Sequence, residues 1–340
     1  MAVSRWSSVA WSCALAAACG GHANTIDAPS TPWSLSPSQV PDPRLEPGVT
    51  ALGQQLVVLG GFDTDVQQGL DITQRVDVFD PTAQTWSTLP DAPVAWTHIQ
   101  LVGIGTTLYL LGGLAGSMYV AHGESFVLET TASPMQWTPI ASMPVGMERG
   151  SAAIAVSPNR IYLMGGASTA NALQSVIYYD LTTDSWGQLP DLPAPRSHPA
   201  GMITPDGTLV LAGGLSGLFA DSFAGDVWQL PPGATEWSTG LAAMPDARGG
   251  CMYGVIQGQL VCAAGEAATS ALTYTETYDP LGDKWSENTA MPVPTAGTQG
   301  AVIASRLYIP GGARELQFFP TDTLYIYAPL DVVGGDTATP

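Results

Sequence analysis

The stretch Leu108-Tyr109-Leu110-Leu111-Gly112-Gly113 decides the fold, because its pattern returns five more times along the 340-residue chain. A short apolar run ends in a Gly pair or its near relative at Gly60-Gly61, Gly112-Gly113, Gly165-Gly166, Gly213-Gly214, Ala264-Gly265 and Gly311-Gly312, at spacings of 52, 53, 48, 51 and 47 residues. A second marker keeps the same beat: Trp33, Trp86, Trp137, Trp186, Trp237 and Trp285 are separated by 53, 51, 49, 51 and 48 residues. Two independent markers with one period near 50 establish a repeat protein.

Each unit reads as four short strands. In the third they are Ser151 to Val156, Arg160 to Met164, Ser175 to Asp180 and Trp186 to Leu189. Turn signals such as Pro158-Asn159, Pro205-Asp206-Gly207 and Gln257-Gly258 separate the strands, and no window shows helical periodicity. Apolar residues make up 45% of the chain and charged residues 11%, which suits many small buried strands. Such strands must satisfy their edges, and radial repetition leaves only short protected ones. The Gly pair then serves a turn with φ > 0 or a close backbone approach. Each Trp covers ~150 to 250 Å² of apolar surface between neighbouring units.

The residues also resemble the kelch-repeat family. A strand ending in Gly-Gly is followed by a strand ending in an aromatic and Asp, then by Trp: Phe79-Asp80-Pro81 before Trp86, Tyr179-Asp180 before Trp186, Tyr278-Asp279-Pro280 before Trp285. The units at Trp137 and Trp237 depart, with Phe126 and Trp228 placed differently. The resemblance covers roughly residues 33 to 330 and implies an all-β, six-bladed kelch β-propeller of four-stranded blades. After Gly311-Gly312 comes one more strand, Thr323 to Ala328, and no Trp. The missing strand is found at the other end, as Trp33-Ser34-Leu35, eleven residues before Arg44, just as Trp237 stands eleven before Arg248. Residues 33 to 36 are therefore expected to supply the fourth strand of the last blade.

Residues 1–18 carry one charge, Arg5, ahead of a thirteen-residue run of small and apolar residues from Trp6 to Ala18. The run is shorter than the ~18 to 20 residues that span a bilayer, so it reads as a secretory signal. Leu15-Ala16-Ala17-Ala18-Cys19-Gly20 resembles a bacterial lipobox with its Leu displaced by one, which implies acylation of Cys19. Residues 19–32, poor in apolar side chains, are expected to be a flexible tether in which His22 is solvated, and residues 331–340 a disordered acidic tail. The address implied is export to the periplasm or outer membrane as a lipoprotein, or to the cell surface.

Net charge is −19, or −20 without Arg5, and Lys284 is the sole lysine. Such a surface repels phosphate backbones and anionic headgroups, so nucleic acid is excluded as a partner and membrane contact is confined to the N-terminal lipid. Cys251 and Cys262 fall on the first two strands of the fifth unit, and in an oxidising compartment they are candidates for a disulfide, the alternative being two buried thiols.

In the kelch family the innermost strands line a central channel, and ligands meet the loops at one mouth. By register with the Gly pairs, Arg44, Trp96, Arg149, Arg196, Arg248 and Thr295 begin those strands. Four guanidinium groups at one opening would suit a carboxylate, or else tie strands together within the repeat. Two residues on, expected on the same face, come Glu46, His98, Ser151, His198, Gly250 and Gly297. Two His and one Glu form a metal-type donor set. Their placement on units one, two and four sets them too far apart, so no metal and no cofactor is expected. His122, with Tyr119 and Glu124, adds polar groups in the long loop after Gly113; that loop and the one from Phe62 to Gln74 are the expected ligand-contacting segments. Galactose oxidase-like copper enzymes need two His, two Tyr and a Cys bonded to one Tyr, a set not evident here. No Ser-x-Asp-x-Gly-x-x-Trp box occurs either. The expectation is a module that binds a protein or a carbohydrate, with no catalytic residues assigned. The alternative is a carbohydrate-active enzyme of the N-acetylneuraminate epimerase type, for whose carboxylate sugar the arginines would serve.

Overall fold

The computed structural model describes residues 31–63, 71–217, 222–316 and 319–330. Cys19, the signal segment, residues 19–30 of the tether and the acidic tail lie outside the described residues.

Six antiparallel blade sheets follow one another, one per repeat, and a two-stranded sheet of Glu266–Ala267 and Ser270–Ala271 is added in the fifth. Blade one consists of Gly48–Leu52, Gln55–Leu59, Val76–Asp80 and Thr85–Leu89; blade three of Ala153–Ser157, Arg160–Met164, Val176–Asp180 and Ser185–Leu189. Blade five has Met252–Ile256, Gln259–Ala263, Thr275–Asp279 and Lys284–Glu287. The third-blade strands expected from the sequence thus agree with the observed ones to within two residues at each end.

The seven-residue step from aromatic to Trp is a hairpin register. Phe79 lies opposite Trp86, Tyr179 opposite Trp186 and Tyr278 opposite Trp285, with ring centroids 5.0, 5.3 and 5.1 Å apart. The intervening Asp closes the turn by accepting backbone N–H groups: Asp80 from Thr82 and Ala83, Asp180 from Thr182, Asp279 from Leu281. The two departing units depart structurally as well. In blade two, a longer connection pairs Trp137 with Leu128. In blade four the outer strand shrinks to a single bridge between Gln229 and Ser238, beside a three-stranded sheet.

Ring closure is by the leading strand. Trp33–Leu35 pairs antiparallel with Leu324–Tyr327, placing Trp33 opposite Tyr327, and both belong to the sheet of Arg306–Pro310 and Ala301–Ile303. Six apolar clusters are each made by two adjacent blades, including one between blade six and blade one, and a seventh, small one joins Leu45, Phe62 and Ala313. A sheet with one neighbour on each side cannot bury its faces alone, which is why the repeats stack. The tryptophans add polar ties across these seams: the indole N–H donates to a carbonyl of the preceding blade from Trp137 to Pro90, Trp186 to Ala141, Trp237 to Pro190, Trp285 to Ala242 and Trp33 to Thr289, at 2.7 to 3.0 Å.

Gly165 shows why the Gly pair recurs. Its φ is 63°, and a Cβ there would stand 2.5 Å from the Arg196 carbonyl oxygen of the next blade. Cys251 and Cys262 are joined as a disulfide, with Cα atoms 5.5 Å apart. Cys262 lies opposite Tyr253, so the bond runs diagonally between the first two strands.

Candidate functional site

The inner strands begin later than the Gly-pair register suggests, because the segment before each one bends. Glu46, His98, Ser151, His198, Gly250 and Gly297 all have left-handed backbones, with φ between 52° and 68°. Their peptide groups form a belt: N–H of Gly250 donates to His198, His198 to Ser151, Ser151 to His98, His98 to Glu46 and Glu46 to Gly297, at 2.7 to 3.0 Å. One residue per blade therefore turns toward the axis. Strands run about 4.8 Å apart, so six of them close a ring of radius only ~5 Å. Side chains on blades one, two and four meet across it.

That geometry corrects the shared face and the separation expected above, and favours the reading in which the arginines tie strands together. Arg44, Arg149, Arg196 and Arg248 do not line the channel with the belt residues, because each belt residue is itself left-handed and breaks the alternation that would set the two on one face. Each is buried and bonds within its own blade. Arg44 pairs with Asp77 at 3.2 Å. Arg149 donates to the carbonyls of Gly165 and Ser175 and to the Ser175 hydroxyl. Arg196 pairs with Asp226 at 2.6 Å and lies over the Trp228 ring, and Arg248 pairs with Glu276 and donates to the Cys262 carbonyl. Among the described residues, no guanidinium lines either of the two channel cavities. The second correction concerns Glu46, His98 and His198, expected to be too far apart: their ligand atoms all lie within 4.8 Å of one another.

Above the belt opens a mouth cavity of about 690 Å³, and below it a channel space of about 370 Å³. Glu46, His98, His198, Glu266 and Gly297 border both. His98 Nε2 stands 3.5 Å from Glu46 Oε2, and the two imidazole centroids are 5.3 Å apart. Burial lowers the His98 pKa to about 3 and that of His198 to about 4, so both rings are neutral at pH 7. Burial raises the Glu46 carboxyl, with His198 opposing, and raises Glu266 to about 7, with the Glu46 charge adding to it. The rim is apolar, formed by Leu45, Leu114, Met118, Tyr119 and Leu316, with Glu315 beside them.

The segment after Gly113 is not a loop but an extended hairpin of Thr107–Ala115 and Val120–Glu129. Its tip brings Tyr119 over the mouth, 5.6 Å from the His98 ring. His122 is left outside: it stacks on Trp96 at 5.3 Å and contacts Glu124. Of the segment from Phe62 to Gln74, residues 64–70 lie outside the described residues.

A family model for the KLHDC2/KLHL20/DRC7 kelch-repeats domain matches residues 98–312, and one for the kelch motif matches residues 43–93. The chain belongs to the kelch-repeat family. This kelch propeller is 30% identical over 298 residues to Kelch-like protein terF of Aspergillus terreus, covering 82% of the chain and 64% of that protein. It is 27% identical over 269 residues to Kelch-like protein 35 of Mus musculus, covering 78% of the chain and 42% of the relative. A third similar protein is an N-(sulfonatooxy)prop-2-enimidothioate sulfolyase of Thlaspi arvense, 27% identical over 199 residues and covering 55% of each. The propeller thus spans 64% and 42% of the lengths of the first two.

Sequence reasoning missed Glu266, although a signal was present. The residue after each Gly pair is Phe62, Leu114, Ala167, Leu215, Glu266 and Ala313, a column in which one carboxylate stands among apolar side chains. It sits over the gap left by Gly250, whose added Cβ would lie 3.9 Å from Glu266 Oε1.

Proposed function

We propose that this kelch propeller is a protein-binding module whose mouth cavity receives a partner segment carrying an apolar side chain and a basic one. The carrying observation is the composition of that cavity: an apolar rim with Met118 75% exposed, around carboxylates at Glu266 and Glu315, with no guanidinium among the described residues. A basic group entering beside Glu266 would return to its carboxylate the favourable partner that burial removes. Kelch propellers commonly bind protein partners, and the net charge of −19 favours basic ones through steering. A carboxylate sugar, the ligand of the epimerase-type alternative, loses its support with the arginines turned inward.

Export and anchoring are part of the proposal and rest on residues 1–32 alone. Acylated Cys19 would hold the propeller at a bacterial membrane through the tether. Cys19→Ala should release the protein from membranes, and retention would count against the anchor. For the mouth, an array of peptides pairing Lys or Arg with Leu or Phe is probed with the propeller at low and high salt. Binding should weaken with salt and be lost in Met118→Asp and Glu266→Gln; binding indifferent to both substitutions would refute the site.

A further inference from the structure

The two belt histidines are oriented by their neighbours in the same way. Thr97 Oγ1 stands 2.8 Å from His98 Nδ1 and 3.4 Å from the Leu114 carbonyl, so it can accept from the ring when its own proton goes to that carbonyl. Ser197 Oγ likewise donates to the Gly217 carbonyl at 2.7 Å and stands 3.3 Å from His198 Nδ1. With Nδ1 of each ring held by a hydroxyl, Nε2 is the nitrogen turned toward the centre of the cluster, where the Nδ1–H tautomer offers its lone pair. His98 Nε2 faces Glu46 Oε2 at 3.5 Å, and His198 Nε2 is hydrogen-bonded to the Ser151 hydroxyl at 3.0 Å. Two imidazole nitrogens and a carboxylate converging on one point form a donor set that a cation can bridge in place of a proton.

The surroundings hold this set open. The backbone belt fixes all three side chains to one ring, and Gly297 leaves room for the carboxylate, since a Cβ there would come within 3.1 Å of Glu46 Oε1. Ligands bound tetrahedrally at ~2.0 to 2.1 Å stand ~3.4 Å from one another. The His98–Glu46 separation of 3.5 Å is close to that value, and the third ligand atom lies within 4.8 Å of both. Hydroxyl acceptors on Nδ1 act as the outer partners that orient metal-binding imidazoles.

We propose that Glu46, His98 and His198 bind one divalent first-row transition-metal ion, with Ser151 Oγ beside it and its remaining positions open to the mouth cavity. Two imidazoles and one carboxylate suit zinc, iron(II) or cobalt(II) better than magnesium or calcium, which prefer all-oxygen sites. The competing occupant is a proton on Glu46 shared with His98 Nε2. The metal site stands independently of the partner-binding reading, which rests on the rim.

The test uses the full chain, treated with chelator and titrated with Co²⁺, read by calorimetry and visible absorption. One Co²⁺ per chain is expected, with ligand-field bands, and with binding lost in His98→Ala and His198→Ala but kept in His122→Ala. Thr97→Val should weaken binding about 10- to 100-fold, as loss of an outer partner does. If the alanine variants fail to melt cooperatively, X-ray absorption of the Co²⁺-loaded native protein decides: two imidazole nitrogens support the site, and one or none overturns it. Failure to bind one equivalent, or undiminished binding in a folded His98→Ala/His198→Ala double variant, would assign the lone pairs to a proton instead.

Discussion

Replacing Arg248 by Met tests whether the arginine columns are framework or ligand site. The Arg248 and Glu276 side chains are 0% and 1% exposed and pair with each other. Arg248 also donates to the carbonyls of Asp246 at 2.7 Å and Cys262 at 3.1 Å, while Glu276 Oε1 has no further partner among the described residues. Removing one member of a buried pair strands the other, at a cost of about 3 to 5 kcal/mol. Burial already raises the Glu276 carboxyl and Arg248 lowers it, so without the arginine its folded pKa rises further above the unfolded value. A group raised in this way contributes stability at low pH that is lost as pH rises through the folded pKa. The penalty of Arg248→Met should therefore be largest above pH 7 and shrink toward pH 4.5. Urea unfolding at both pH values reads it, and Arg248→Met/Glu276→Leu should recover much of the loss, since a well-packed apolar pair can match a buried ionic one. A single variant within about 1 kcal/mol of the native protein at pH 7.5, or a double variant no better than the single, would refute the framework role.

Three further outcomes follow from the same geometry. Trp33→Ala removes a side chain 3% exposed in the closing strand and its bond to Thr289, and should cost about 3 to 5 kcal/mol in urea unfolding; a loss under 1 kcal/mol would mean the ring closes without it. Gly165→Ala places a Cβ 2.5 Å from the Arg196 carbonyl oxygen in a left-handed backbone, and should lower stability by at least about 2 kcal/mol and shift the thermal midpoint accordingly. Glu266→Gln in chelator-treated protein removes a carboxyl whose folded pKa is about 7 against an ordinary 4.5, so the variant should gain up to ~3 kcal/mol above pH 7 and nothing below pH 4.5. Equal effects at pH 4 and pH 8 would show that this carboxylate is not buried at the mouth.

The repeat markers determined the blade count, the strand order and the closing of the ring by Trp33. All of these are local or periodic: an apolar run meeting a Gly pair, an aromatic placed seven residues before its Trp, an Asp closing the turn between them. Blades two and four were also legible as departures, because Phe126 and Trp228 break the period where the observed sheets lengthen or lose a strand. The site was legible only in part. Glu46, His98 and His198 are found by column position, but their distance apart is not, since residues 52 and 100 positions distant meet only once six sheets close on a narrow axis. Nor does the sequence show which way Arg248 and its counterparts point. That direction was decided by one left-handed residue per blade, which breaks the alternation and leaves the arginine bonded within its own sheet and the next-but-one side chain at the axis, an interruption that no pattern of apolar and polar residues encodes.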